Sequence, residues 1–290
     1  MAAQLAGGGD GGLSRHHARD KVMTVVLAGV MAATLAVLAW VLLYVAGQGL
    51  KYLGPTFVTQ TPPGNPALPG GGFANGVAGS LIIVGVATLI SVPLGVAAAV
   101  AINEYGGRFA AATSFVTDVL IGIPTIVTGA FIYAIWVTRF GFSGLAGAIA
   151  LGLVMLPLII RATAEMLRLV PTDLREASTA LGASRARVIM SVVLPTAVPG
   201  ITTGVMLAIA RAMGETAPLL LTALGNDLFM QTNPTKRMST VSLQIFDNAV
   251  TGFRTAQARA WAGALTLILI VLILTVAARV IGLRVSRARG

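Results

Sequence analysis

The sequence contains no cysteine, only two histidines and few charged residues. Without cysteine the chain can form no disulfide and has no thiol nucleophile or thiolate metal ligand. His16 and His17 are adjacent in a polar stretch near the N-terminus, and we interpret them as part of a solvated tail rather than a metal site. Charged residues make up 10% of the 290 residues, whereas a soluble globular domain has about 25%. The composition therefore does not favour a soluble enzyme.

Motifs for nucleotide binding and nucleophilic catalysis are also absent. None of the three lysines stands in the G-x-x-x-x-G-K-[ST] pattern of a phosphate-binding loop, so the chain does not bind ATP by that route. The triplet Gly-Ala-Ser at 182–184 is followed by Arg185 and does not form a G-x-S-x-G nucleophile elbow. No polar segment exceeds about 40 residues, which is short for a soluble signalling domain. We expect neither covalent catalysis nor a sensor domain.

Long uncharged runs dominate what is present. Hydrophobic residues make up 56% of the chain, and the mean hydropathy is +0.87. A hydrocarbon core of about 30 Å needs roughly 20 apolar residues per helical span. The fold class that we predict is an all-α membrane protein with six transmembrane helices. The predicted spans cover 22–46, 77–102, 119–138, 140–160, 198–224 and 260–278.

These spans define a predicted domain organisation, in which an N-terminal anchor precedes a transport core. A proline- and glycine-rich loop separates the two, and a polar connection at 103–118 leads to a tight hairpin of spans three and four. Pro124 is expected to kink span three. The predicted segments are a tail at 1–21, the anchor at 22–46, the loop at 47–76, the core at 77–282 with a polar segment at 161–195, and a basic tail at 283–290.

Basic residues are unevenly distributed among the predicted loops. The net charge is +10, and most of it comes from arginines close to span ends, so membrane topology and lipid headgroups explain it better than nucleic acid does. If both termini are cytoplasmic, 13 of the 20 lysines and arginines lie inside and 6 lie outside. The positive-inside rule therefore predicts that both termini are cytoplasmic, and it places 161–195 in the cytoplasm.

The stretch from Arg175 to Pro195 carries three arginines between two apolar blocks. Residues 176–190 lack proline and have one glycine, Gly182, so we predict a short helix, a turn and a second helix, with Pro195 marking the entry to span five. Two interpretations remain open from the residues alone. The segment either contacts a partner protein or lies as an amphipathic helix on the lipid surface.

The spacing of this stretch resembles the EAA signature of ABC importer permeases, E-A-A-x3-G-x9-I-x-L-P. The family's second alanine is a serine here, and its isoleucine is Val192. The resemblance implies a segment that docks on an ATPase subunit, so that ATP and Mg²⁺ bind the partner and this chain holds no cofactor. The matching residues are Glu176, Ala177, Ser178, Gly182, Leu194 and Pro195.

A charged pair interrupts span five. Arg211 falls near the middle of the predicted span, where an arginine costs about 2.5–3.5 kcal/mol, and Glu215 follows on the same helical face. The pair either merely neutralises itself or lines an anion path, because the guanidinium presents a planar fork of donors suited to oxyanions. Both interpretations can hold at different stages of a transport cycle.

The string Arg-Ala-Met-Gly-Glu-Thr-Ala-Pro-Leu at 211–219 resembles permeases of phosphate-specific ABC importers, as do the stretches 123–129 and 181–184. The resemblance implies a type I (MetI-like) permease core with an extra N-terminal span, and a phosphate path at Arg211, Glu215 and Thr216. It also implies a location in the bacterial plasma membrane, and a homologous second permease, an ATPase dimer and an extracytoplasmic phosphate-binding protein as partners. A permease for sulfate or molybdate, and a secondary transporter, remain alternatives.

Overall fold

The computed structural model describes the backbone of residues 10–287 and the side chains of residues 19–280. Within that range the chain is helical and has no β-strand, which confirms the predicted fold class. His16, His17, most of the predicted tail 1–21 and the predicted tail 283–290 have no described side chains. Those predictions fall outside the part of the chain that can be compared.

Thirteen α-helices follow one another along the described chain, with π-helical turns at Ala101–Tyr105, Tyr133–Val137 and Ile189–Val193. The α-helices are α1 (Asp10–Gly49), α2 (Pro55–Thr59), α3 (Ala74–Val100), α4 (Gly107–Gly122), α5 (Thr125–Ile132), α6 (Thr138–Phe140), α7 (Gly144–Arg168), α8 (Thr172–Ala180), α9 (Arg185–Val188), α10 (Leu194–Gly214), α11 (Ala217–Thr222), α12 (Val241–Ala249) and α13 (Arg254–Arg287).

Five helical segments in the described chain are long and apolar enough to cross a membrane. A bent pair, Gly107–Gly122 with Thr125–Phe140, makes six if it counts as one span, which agrees with the predicted number. The five are Arg19–Gly49, Ala74–Tyr105, Gly144–Arg168, Arg185–Gly214 and Arg254–Val280. The first belongs to a separate compact unit, Met1–Gln48, and the predicted anchor 22–46 lies inside α1.

The prediction for span three is wrong in its shape. The predicted polar connection at 103–118 is largely helical, as α4, and the chain then bends by 104° before α5. The bend lies at Ile123 and Pro124, where Ile123 is extended with φ −76° and ψ 125°. A proline disfavours the helical conformation in the residue before it, so Pro124 ends α4 and begins α5. The predicted kink at Pro124 is confirmed, but it is a break between two helices.

Spans four and five both extend further than predicted into the polar segment 161–195. Helix α7 continues to Arg168, and the helix that contains span five begins at Arg185, 13 residues before the predicted start. Pro195 lies inside that helix, because the π-helical turn Ile189–Val193 absorbs the loss of its backbone N–H donor. Helix ends are set by capping and packing, whereas hydropathy marks only the apolar middle.

Helices α3, α7 and α10 form the centre of the core, and small residues bring them close. Gly95 of α3 faces Ile159 of α7, and a Cβ at Gly95 would lie 2.6 Å from the Ile159 Cγ2. Gly204 of α10 faces Ala162 of α7, leaving similarly little room. Because lipid offers no hydrophobic drive between helices, such close backbone packing supplies much of the association energy.

The segment predicted as an extracytoplasmic loop at 47–76 contains the short helix α2 and a proline-rich stretch without helix. Arg259 of α13 holds that stretch, donating to the carbonyls of Leu68 at 2.7 Å and Pro66 at 2.9 Å. The Thr255 hydroxyl donates to the same Pro66 oxygen. Arg259 is one of the six basic residues expected outside the membrane, but it lies within a helix and is only 4% exposed, because the loop carbonyls replace water around it.

Candidate functional site

The break after α10 places the predicted path residues at a helix end. Arg211 lies in the last turn of α10, and Glu215 ends the helix in an extended conformation with φ −72° and ψ 126°. Pro218 then lies in the first turn of α11. The carbonyls of the last turn of a helix carry partial negative charge, which stabilises a cation such as Arg211 there.

The depth of Arg211 follows from the packing of α10 against α7. Gly200 of α10 faces Met166 of α7, and Gly204 faces Ala162. The two helices are therefore antiparallel, and four residues forward along α10 correspond to four residues back along α7. Continuing this register puts Arg211 level with Met155, near the middle of the 25-residue helix α7. The Arg211 backbone is therefore level with the middle of α7, although the apolar segment Arg185–Gly214 that contains it ends only three residues later.

The Arg211 side chain faces an open side of the chain. It is 57% exposed, whereas Glu215 is 16% exposed, and the Arg211 Nε lies 3.5 Å from the Glu215 Oε1. Among the described residues no other side chain binds the guanidinium, so both Nη groups remain available. The backbone of Glu215 is fixed in position, because the Ser242 hydroxyl donates to the Glu215 carbonyl at 3.0 Å. Thr216 follows Glu215, is half-buried and precedes α11.

The EAA-like segment forms α8, a turn and α9, as predicted. The turn is a Schellman motif, in which the Gly182 N–H donates to the Thr179 carbonyl at 2.9 Å and the Ala183 N–H donates to the Ser178 carbonyl at 3.2 Å. Gly182 has a φ of +81°, which glycine adopts without strain. The glycine of the signature is therefore the residue that ends α8.

The structure separates the signature residues into two groups. Glu176, Ala177 and Ser178 lie on α8, which buries none of its residues, and the following Leu181 is 89% exposed. Leu194 and Pro195 instead begin α10 and are half-buried. The first group presents a surface with an apolar residue at its tip. The second group shapes the helix that connects this surface to Arg211.

Sequence reasoning missed the residues that attach α8 to the bundle. Arg175 pairs with Glu104, in the π-helical turn after α3, and donates to the Leu167 carbonyl at 2.7 Å. The guanidinium of Arg185 lies 5.1 Å from the centre of the Tyr105 ring. An acidic residue directly after a long apolar span was the only sequence signal, and nothing local links it to a residue 71 positions away.

A polar cleft of about 470 Å³ lies at the opposite end of the bundle, lined in part by Asp227, Arg237 and Asp247. Asp227 accepts from the Ser239 hydroxyl at 2.7 Å and from the Gln244 amide at 2.9 Å. Burial, and then the nearby Asp227 carboxylate, raise the pKa of Asp247 above its ordinary value. No motif in the sequence indicates this cleft.

Comparison with known proteins identifies the family. Residues 91–287 match the family model described as the binding-protein-dependent transport system inner membrane component. The chain therefore belongs to this family, and the resemblance to ABC importer permeases is confirmed. Similarity to solved structures shows the same fold. A chain of a bacterial alginate ABC transporter aligns with a TM-score of 0.65 at 15% identity, over 91% of this chain and 94% of that one.

A second solved structure, the inward-facing MetNI methionine ABC transporter, aligns with a TM-score of 0.56 at 19% identity, over 73% of this chain and 94% of that one. Curated relatives are much closer in sequence. The chain is 42% identical to the phosphate transport system permease protein PstA of Yersinia pestis, over 91% of this chain and 90% of the relative. It is 41% identical to PstA 1 of Mycobacterium tuberculosis H37Rv, over 76% and 72%.

Proposed function

We propose that this chain is the transmembrane permease subunit of an ATP-driven phosphate import system. The relatives that are about 40% identical over most of the chain are phosphate transport permeases. The single observation that carries the proposal on this chain's own residues is Arg211. Its backbone is level with the middle of α7, and its side chain is 57% exposed and is contacted by one carboxylate at Nε.

An arginine at this depth is unfavourable in lipid, where it costs about 2.5–3.5 kcal/mol, so its open side faces water or another protein. The Nη edge of the guanidinium matches two oxygens of a tetrahedral oxyanion, and such bidentate charge-assisted hydrogen bonds are the strong ones. Glu215 orients the Arg211 guanidinium through its contact at Nε and leaves the Nη edge free. Its negative charge also limits how tightly the anion is held, which favours release during transport.

The partners follow from the same assignment. The exposed surface of α8, with Leu181 at its tip, docks on an ATPase subunit that binds ATP and Mg²⁺. A homologous second permease covers the open side at Arg211 and completes the path, and an extracytoplasmic phosphate-binding protein delivers the anion. This chain binds no cofactor and performs no covalent step. The family is one of inner membrane components, and the loop charges favour cytoplasmic termini.

Transport in this account is a shift between two conformations of the bundle. ATP binding to the partner favours one conformation and ATP hydrolysis the other, because the docked α8 differs in position between them. The displacement reaches Arg211 through α7 and α10, which are packed closely at Gly200 and Gly204. The anion site is thereby exposed first to one side of the membrane and then to the other.

Replacement of Arg211 tests the proposal. Arg211→Gln, in a complex reconstituted with the second permease, the ATPase and the binding protein, should abolish phosphate uptake while the complex still assembles. Arg139→Gln is the matched control, because Arg139 is an exposed arginine in α6 outside the proposed path. Normal uptake by the Arg211→Gln complex would contradict the assigned role of the guanidinium.

A further inference from the structure

Apolar packing does not fix helix α8 to the bundle. None of its residues is buried, and Leu174, its largest apolar side chain, is 44% exposed. The hydroxyls of Ser178 and Thr179 bond only to carbonyls one turn back in the same helix. Within the described part of the chain, Arg175 is the α8 residue whose side chain forms hydrogen bonds to other elements. The position of α8 therefore depends on this side chain.

Arg175 binds the ends of two core helices together. It pairs with the Glu104 carboxylate beyond α3, and its other Nη donates to the Leu167 carbonyl near the end of α7. Glu104 is only 7% exposed, and the Arg175 side chain is 24% exposed. Little water competes for this pair, so it is stronger and more geometrically defined than a surface ion pair.

The Glu104 side of the pair belongs to a rigid base. The neighbouring Asn103 donates to the Ala164 carbonyl of α7 at 2.9 Å and accepts from the Arg168 Nε at 3.0 Å. Glu104 therefore cannot move independently of α7. A cleft of about 330 Å³, lined in part by Glu104, Arg175 and Thr179, borders the pair. The cleft leaves space beside α8, while the ion pair keeps Arg175 of α8 attached to Glu104.

From these contacts we infer that Arg175 and Glu104 are positioning residues that transmit the movement of α8 to α3 and α7. The inference rests on the proposed function, because it assumes that α8 docks on an ATPase. When the ATPase displaces the docked α8, Arg175 transmits the displacement to Glu104 and to the Leu167 carbonyl together. The bundle then moves with it. Without the pair, only the short connections 169–171 and 181–184 join α8 to the neighbouring helices, so less of its displacement reaches the core.

The ratio of anion transported to ATP hydrolysed tests this inference. Arg175→Gln and Glu104→Gln should each lower the ratio by about tenfold, within the roughly 5–150-fold range typical of coupling between sites. ATP hydrolysis itself should continue. The double variant should lose no more than either single variant, because the two residues act through one interaction. Arg175→Lys keeps a cation beside Glu104 and should retain most of the ratio.

Arg108→Gln serves as the control, since Arg108 is an exposed arginine close to Glu104 in the chain. An unchanged ratio in both single variants, or additive losses in the double variant, would overturn the inference. If neither variant assembles with the ATPase, the pair serves assembly and the inference is also wrong. The wild-type complex distinguishes a failure of this inference from a failure of the proposed function. If it transports another oxyanion, the proposed substrate is wrong, but the ratio of anion transported to ATP hydrolysed can still be measured with that oxyanion.

Discussion

Gly182 offers a perturbation whose size can be worked out from the structure. Its φ of +81° ends α8, and the two Schellman hydrogen bonds that follow depend on this conformation. A Cβ at this position would have no heavy atom within 4 Å, so substitution causes no steric clash within the chain. The cost of Gly182→Ala is therefore backbone strain alone, about 1–2 kcal/mol for an L-residue in the left-handed region.

That strain should weaken docking on the ATPase. If the ATPase binds the capped form of α8, a cost of about 1–2 kcal/mol lowers the affinity by up to roughly 5–30-fold, as the uncapped form becomes populated. Gly182→Asn is the matched control, because asparagine tolerates this conformation far better than alanine does. It should bind the ATPase almost as tightly as the wild-type chain.

The assay is a titration of the purified permease complex with its ATPase subunit, followed by phosphate uptake in proteoliposomes. Affinity should decrease in the order glycine, asparagine, alanine, and uptake should follow affinity. Equal binding by the alanine variant and the wild type would refute the reasoning, because the strain would then not reach the docking surface. An asparagine variant as weak as the alanine variant would show that side-chain bulk matters instead.

Three further predictions concern the packing and electrostatics of the bundle. Gly204→Leu should destabilise the chain by about 1–3 kcal/mol through overpacking against Ala162, whereas Gly85→Ala, in open space, should not; thermal unfolding in detergent measures both. Arg259→Gln should release the loop 60–72 and make it sensitive to limited proteolysis, because charge-assisted hydrogen bonds of about 1.5–3 kcal/mol are lost; unchanged cleavage would contradict this. Because burial raises the Asp247 pKa, the stabilising contribution of this group is present below pH 3.8 and is lost as the pH rises through the folded-state pKa. Asp247→Asn should therefore raise the melting temperature at pH 7, and no rise would argue against the desolvation of this half-buried carboxyl group.

Features that depend on local sequence were predictable. The turn at Gly182 and the break at Pro124 each follow from one residue with restricted or unusual backbone freedom. The placement of Arg211 in a long apolar helix was predictable because long apolar runs mark the spans. Its open side could be seen only in the structure, since exposure depends on how neighbouring helices pack.

Features that depend on long-range contacts were not predictable. The Arg175–Glu104 pair joins residues 71 positions apart, and no periodic pattern connects them. The hydrogen bonds of Arg259 were not predictable either. Its partners are backbone carbonyls, and the position of a carbonyl does not depend on the residue type that carries it. Helix α4 was missed because it mixes polar and apolar residues, so hydropathy identified it as a connection rather than part of a bent span.

Uptake of labelled phosphate into proteoliposomes that contain the whole complex tests the central claim most directly. The account predicts phosphate accumulation that requires both ATP and the ATPase partner, and that unlabelled sulfate or molybdate does not inhibit. Inhibition of phosphate uptake by unlabelled sulfate or molybdate, or no phosphate uptake at all, would contradict the assigned substrate. Phosphate accumulation without the ATPase, driven by an ion gradient, would contradict the assigned class of transporter.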